Sequence, residues 1–181
     1  MRTMSKIGKK HIAIPKDVKV SIVGNKILME GPKGKKELTL NTDVLETKID
    51  NNEISITPKD TKNQNKVIWG LQRSLINNIL IGISKGYEIN LNLNGVGFRA
   101  NLKGNQIQFQ LGFSHDILFD IPEGITVKID KQTKITLNGT DKQLIGKVAA
   151  DIKFLKPVEP YKQKGITSEG QFILKKEGKK K

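Results

Sequence analysis

Val20-Ser21-Ile22-Val23-Gly24-Asn25-Lys26-Ile27-Leu28-Met29-Glu30-Gly31 and Val127-Lys128-Ile129-Asp130-Lys131-Gln132-Thr133-Lys134-Ile135-Thr136-Leu137-Asn138-Gly139 share one plan. Each is a strand, a turn, a strand and a glycine-containing turn, the second one residue longer. Apolar residues at alternate positions point to one face of an extended chain, so each stretch reads as a hairpin. Each half of the chain then closes on helical apolar spacing, over residues 61–82 and 141–155. The pattern predicts an α+β fold of two similar tandem domains, each an antiparallel sheet with one packed helix.

The rest of the chain fits around these units. Residues 1–16 form a basic arm, 17–84 the first repeat, 85–156 the second, and 157–181 a basic extension. In the first repeat, Glu37–Leu40 is a short strand, and Val44–Ile49 and Ile54–Thr57 form a hairpin that Pro58 ends. Val67, Ile68, Leu71, Leu75, Ile79 and Leu80 define the expected buried face of the first helix. Tyr87, Ile89, Leu91 and Leu93 alternate strictly at the start of the second repeat. Phe98, Ala100 and Leu102, then Ile107, Phe109 and Leu111, alternate after it, and Ile117 and Phe119 make a brief strand. Asp141 is the expected N-cap of the second helix, whose face carries Leu144, Ile145, Val148, Ile152 and Leu155.

The formal net charge over 181 residues is +14, and its placement is uneven. Residues 1–19 and 156–181 each carry a net +5, while the long middle carries only +4. Self-repulsion of that kind does not stabilise a fold, so it implies a partner of opposite sign. RNA or DNA is the first candidate and an anionic membrane the second; the basic segments carry few large apolar residues to insert into lipid. No cysteine is present, which excludes disulfides, thiol catalysis and cysteine-held metals. No apolar run approaches the ~20 residues of a spanning helix, and the first residues lack a signal-peptide apolar region. Gly8 and Pro15 interrupt any long amphipathic helix there, which argues against a mitochondrial presequence.

No catalytic constellation emerges. Ser114-His115-Asp116 has the residue types of a hydrolase triad, but consecutive side chains do not converge as a triad must. Gly95-Val96-Gly97-Phe98-Arg99-Ala100 follows a strand, as a dinucleotide loop does, yet a strand rather than a helix comes next. Gly31-Pro32-Lys33-Gly34-Lys35 has the wrong spacing for a phosphate loop. His11 and His115 are too few for a metal site, and no cofactor is implied.

The strip Lys156-Pro157-Val158-Glu159-Pro160-Tyr161-Lys162-Gln163-Lys164-Gly165-Ile166 follows the last helix. Two prolines stop the helix and favour extended backbone before each of them. On an extended chain Lys162 and Lys164 share one face, with Tyr161 and Gln163 on the other.

Several blocks then fall in one order: Ser5-Lys6-Ile7-Gly8-Lys9-Lys10, Ile14-Pro15, Gly31-Pro32-Lys33-Gly34, Gly95-Val96-Gly97-Phe98-Arg99-Ala100, Leu111-Gly112-Phe113-Ser114-His115, and Pro160-Tyr161-Lys162 with Lys164-Gly165-Ile166. Over nearly the whole chain this resembles the bacterial-type ribosomal protein L6 family. The resemblance implies a structural, non-catalytic constituent of the large ribosomal subunit, with two α+β domains from a duplication. It implies large-subunit ribosomal RNA as partner, neighbouring ribosomal proteins, and a place near the stalk base where translational GTPases dock. The expected setting is a ribosome of a bacterial cytoplasm or of an organelle (mitochondrial) matrix; no membrane and no homo-oligomer is implied. The rival reading is an extra-ribosomal nucleic-acid-binding or regulatory protein.

On this basis Lys162, Lys164, Lys175 and Lys176 are expected to neutralise phosphates, with Lys156 beside them. Tyr161 is expected to stack on a base or pack on a ribose, and Gly165 to let backbone N–H groups approach the RNA. Lys6, Lys9, Lys10 and His11 are expected to contact RNA from the arm. The family usually has glycine where this chain has Gln163, and an arginine followed by an aromatic where it has Thr167-Ser168.

Overall fold

The computed structural model describes residues 7–50, 52–59 and 63–178. The chain divides into two compact units, Met1–Gly86 and Tyr87–Lys181, each with its own apolar cluster.

In the first unit β1 (Ile12–Ala13) pairs with β6 (Glu53–Pro58), which pairs with β5 (Leu45–Asp50). β2 (Lys19–Val23), β3 (Lys26–Gly31) and β4 (Gly34–Thr39) form a meander, and α1 (Asn63–Ser84) follows. The expected short strand at Glu37–Leu40 overlaps the end of the longer β4, which begins at Gly34 and stops at Thr39. β3 shows the predicted alternation, with Ile27 and Met29 buried and their neighbours exposed. Lysines of this unit are matched across the strands: Lys26 meets Glu37 at 3.2 Å and Lys35 meets Glu30 at 2.7 Å. The hydrogen bond and charge of Lys35 hold the Glu30 carboxyl below its ordinary pKa.

The buried face of α1 matches the expected one in part: Leu80 is buried and Ile68 and Ile79 pack against the core, but the centre of the face is shifted. Trp69, Gln72, Ile76, Leu80 and Ile83 face the core, at helical spacings of three and four. Val67 and Leu71 are 73% and 56% exposed, and Leu75 and Ile79 lie at the margin. Trp69, Ile76, Leu80 and Ile83 carry this face, and Gln72 is tolerated among them because its amide Nε2 donates to the Thr39 carbonyl at 3.1 Å.

The second unit starts with β7 (Tyr87–Asn94), followed by a meander of β8 (Arg99–Lys103), β9 (Gln106–Gln110) and β10 (Ile117–Asp120). The hairpin β11 (Ile125–Asp130) and β12 (Lys134–Gly139) leads into α2 (Lys142–Leu155). The Asp141 side chain caps α2 as expected, accepting from the backbone N–H of Gln143 at 2.9 Å and of Leu144 at 3.3 Å. Leu102 breaks the inward alternation of β8 and is 48% exposed.

A last strand, β13 (Gly165–Ser168), comes from residues expected as part of an extension. It pairs antiparallel with β7, so the sheet runs β11-β12-β7-β13. Ile166 sits opposite Leu93 and enters the core, 1% exposed. The strand was hidden in the sequence because only four residues pair and a single one of them is a large apolar side chain.

The duplication is present, with a different correspondence from the one the hairpin motifs suggested. By topology β1-β6-β5 matches β7-β12-β11, and β2-β3-β4 matches β8-β9-β10. The equivalent of Val127–Gly139 is therefore the β5–β6 hairpin, and Val20–Gly31 corresponds to the β8–β9 hairpin. The turn dipeptides agree with this pairing. Gly24 and Gly104 both have φ of 58°. Each is followed by an asparagine whose carbonyl accepts a backbone N–H after the third strand, Leu40 to Asn25 at 2.8 Å and Ile121 to Asn105 at 3.0 Å.

Candidate nucleic-acid interface

Lys156 to Ile166 is a closed loop rather than an extended strip. Its base is pinned where the Ile166 N–H donates to the Lys156 carbonyl at 3.0 Å and the Glu159 N–H to that of Lys164 at 2.9 Å. Inside it the Gln163 N–H donates to the Glu159 carbonyl at 2.9 Å, which tightens Pro160–Gln163 into a turn. The alternation expected of Lys162 and Lys164 therefore does not apply. Both lysines are nevertheless exposed, and Tyr161 at the tip is 50% exposed.

The tail folds back on this loop. The Lys176 N–H donates to the Pro160 carbonyl at 3.1 Å, which brings Lys175 and Lys176 beside the tip. Neither of them, nor Lys162 or Lys164, forms an ion pair within the described residues, unlike Lys26, Lys35 and Lys48. Lys156 is held differently, with its ammonium 4.1 Å from the centroid of the Phe113 ring.

Gly165 is buried, and its glycine identity has an internal cause. Its φ is +144°, and a methyl there would lie 2.7 Å from Val158 Cα and 2.8 Å from the Pro157 carbonyl oxygen. Its close approach is to its own chain, and its small size serves to seat the loop. Thr167 is also buried; its Oγ1 accepts from Asn94 Nδ2 at 3.2 Å, so its side chain faces the sheet.

Gln163 has a φ of +54°, the left-handed region that glycine adopts freely and other residues at a cost of roughly 1–2 kcal/mol. Gln163→Gly is expected to raise the urea midpoint by an amount equivalent to about 1 kcal/mol, and Gln163→Val to lower it.

The arm residues lie on the other unit. Lys9, Lys10 and His11 are exposed, and Lys6 lies outside the described residues. Gly8 sits against Trp69, where a methyl would lie 2.5 Å from the indole ring. Arg73 of α1 donates from Nε to the Lys10 carbonyl at 3.3 Å. Among the described residues no cluster of metal-ligating side chains occurs, and no helix is long and apolar enough to cross a membrane.

The sequence matches the family described as Ribosomal protein L6 over residues 14–86 and again over 94–169, one match to each unit. The chain belongs to the ribosomal protein L6 family. That family is structural and non-enzymatic. Relatives include the "Large ribosomal subunit protein uL6" of Anaeromyxobacter sp. (strain Fw109-5), 48% identical over 177 residues, covering 97% of this chain and 98% of that protein. The protein of the same description from Bartonella henselae is 45% identical over 178 residues, covering 98% of this chain and all of the relative. That from Rhodopseudomonas palustris (strain BisB18) is 42% identical with the same coverage. In this L6-family chain both the β13 strand up to Ser168 and the loop before it fall inside the second matched segment.

Proposed function

We propose that this chain is a constituent of the large ribosomal subunit whose Pro160–Lys164 loop and folded-back tail grip large-subunit ribosomal RNA. The observation that carries this reading is the pinned loop, which gathers exposed lysines that have no ion-pair partner among the described residues. Holding Lys162 and Lys164 on a closed loop lowers the conformational entropy lost when they meet phosphates. Lys175 and Lys176 add charge at the same place, and Tyr161 offers an aromatic surface beside them. Lys9, Lys10 and His11 supply a second contact from the first unit. The site in the subunit is the region near the stalk base where translational GTPases dock, as the family resemblance implies, with other ribosomal proteins as neighbours. Its bacterial relatives favour a bacterial ribosome over an organellar one.

Replacing Lys162 and Lys164 together by alanine is expected to weaken binding to a large-subunit ribosomal RNA transcript. The plot of log affinity against log salt should lose a slope of about one for each lysine. An unchanged slope would remove these lysines from the interface. Sedimentation of cell extract in high salt checks the wider reading: the chain should travel with large subunits, whereas a free pool in excess points to the extra-ribosomal alternative.

A further inference from the structure

The loop Leu111–Asp116 has no role in the RNA grip described above, yet it holds one large apolar side chain out among exposed polar ones. Gly112 has a φ of +72° and packs against the Phe98 ring, where a methyl would lie 3.5 Å from it. Phe98 is buried and is itself covered by Gly95, where a methyl would come within 2.7 Å of its ring. At the other end of the loop the Asp116 carboxylate accepts from Gln108 Nε2, and from Gln110 Nε2 at 3.4 Å. Both ends are thus tied to the sheet, and between them Phe113 stands 46% exposed. Burial is what lets a phenylalanine stabilise a fold, so leaving one in water on a fastened loop gives the fold itself little. The Lys156 ammonium lies 4.1 Å from its ring centroid, and Lys156 is the residue from which the basic loop departs.

We propose that Phe113 is a stacking platform for an unpaired RNA base, with Lys156 over the ring positioned to meet the phosphate of that nucleotide. The inference rests on the RNA-binding reading and extends the contact beyond the Pro160–Lys164 loop to a second loop of the same unit. An aromatic ring beside a cation is the pairing that single-stranded nucleic acid selects, because every base offers a flat face and every nucleotide a charge. The platform calls for a base outside a helix, since paired bases leave no face open to a side chain.

The test measures binding of the full chain to a bacterial large-subunit ribosomal RNA transcript across a salt series. The variants are Phe113→Ala, Phe113→Leu, Phe113→Tyr and the Lys162→Ala/Lys164→Ala double variant. Phe113→Ala and Phe113→Leu are expected to bind about tenfold more weakly with the salt slope unchanged, because stacking neutralises no phosphate. Phe113→Tyr should bind within about twofold of the parent, since it keeps the flat ring. Phe113→Leu keeps apolar bulk, so equal weakening by Leu and Ala separates stacking from loop packing, and urea midpoints confirm that each variant is folded. Parental binding by both, while the lysine variant loses slope, overturns the platform and leaves the RNA grip standing. A drop in slope of about one in Phe113→Ala also overturns it, because the ring would then act only by placing Lys156. If the lysine variant too binds as the parent does, the RNA reading itself fails and the platform with it.

Discussion

Gly165→Ala is expected to cost about 3 kcal/mol of stability and to release the C-terminal strand. At a φ of +144° an alanine is strained before any contact is considered. Its methyl would then meet Val158 Cα at 2.7 Å and the Pro157 oxygen at 2.8 Å. Both are backbone atoms fixed by the hydrogen bonds that close the loop, so neither yields as the end of a long side chain would. Relief comes by moving β13 away from the loop or from β7. Leaving β7 exposes Ile166, whose burial is worth about 2 kcal/mol, and breaks the pairing of four residues, each with a net worth of about 1 kcal/mol. Part of that loss is offset by the backbone entropy the freed residues recover. The expected cost thus lies near the free energy that holds the strand. Two measurements check it: the urea midpoint, and hydrogen exchange at residues 91–94 of β7, which becomes a sheet edge when β13 leaves. A midpoint within about 0.5 kcal/mol of the parent would show that the loop absorbs the methyl. Because the same loop displays Lys162 and Lys164, RNA affinity should fall together with stability.

How far the fold was legible follows from where its signal is local. The period-two alternation of β7, β9 and β12 is carried by Leu91, Leu93, Ile107, Phe109, Ile135 and Leu137, all buried, so pattern and structure agree there. The cap at Asp141 is equally local, since one carboxylate meets N–H groups two and three residues on. The existence of a repeat was legible for the same reason. Which segments correspond was not, because hairpins of similar apolar pattern occur twice in each unit and only strand order separates them. On α1 two apolar arcs compete, and the buried one runs through Gln72, whose polar side chain interrupts the apolar pattern and is satisfied by a carbonyl 33 residues away in sequence.

The candidate interface divides in the same way. Its lysines are visible as charge excess, and the exposed placement of Lys162 and Lys164 agrees with that reading. Its geometry depends on hydrogen bonds from Ile166 back to Lys156 and from Lys176 back to Pro160, which no periodicity encodes. Gln163 could have been read as turn-forming only through the glycine that the family usually carries there; its own chemistry gives no such signal, and its φ of +54° emerges only from the closed loop. Phe113 carries no local signal of a site, because Ser114, His115 and Asp116 beside it are polar and Lys156, its partner, is 43 residues away in sequence.

Trp69→Ala is expected to remove about 4 kcal/mol from the first unit. The side chain is 4% exposed and its Nε1 donates to the Ile56 carbonyl at 2.6 Å, so truncation leaves a cavity and strips that carbonyl of a partner. Small domains sit at the low end of the usual 5–15 kcal/mol, so this is a large share of what holds the unit together. Trp69→Phe keeps part of the ring volume but not the donor, and a loss nearer 2 kcal/mol is expected. Circular dichroism in urea reads both variants, and a loss below about 1 kcal/mol for Trp69→Ala would show that the site collapses around the gap. The consequence reaches the basic arm, because Gly8 rests on the indole ring and no larger residue fits between them. With the indole reduced to a smaller phenyl ring, residues 7–11 lose part of that contact and lean more on the Arg73 contact to Lys10 and the two-residue pairing of β1. Trypsin should therefore cut after Lys9 and Lys10 faster in Trp69→Phe than in the parent under conditions where both are folded. Equal cutting rates would mean that β1 and Arg73 alone fix the arm, and that Gly8 serves the packing of Trp69 rather than the reverse.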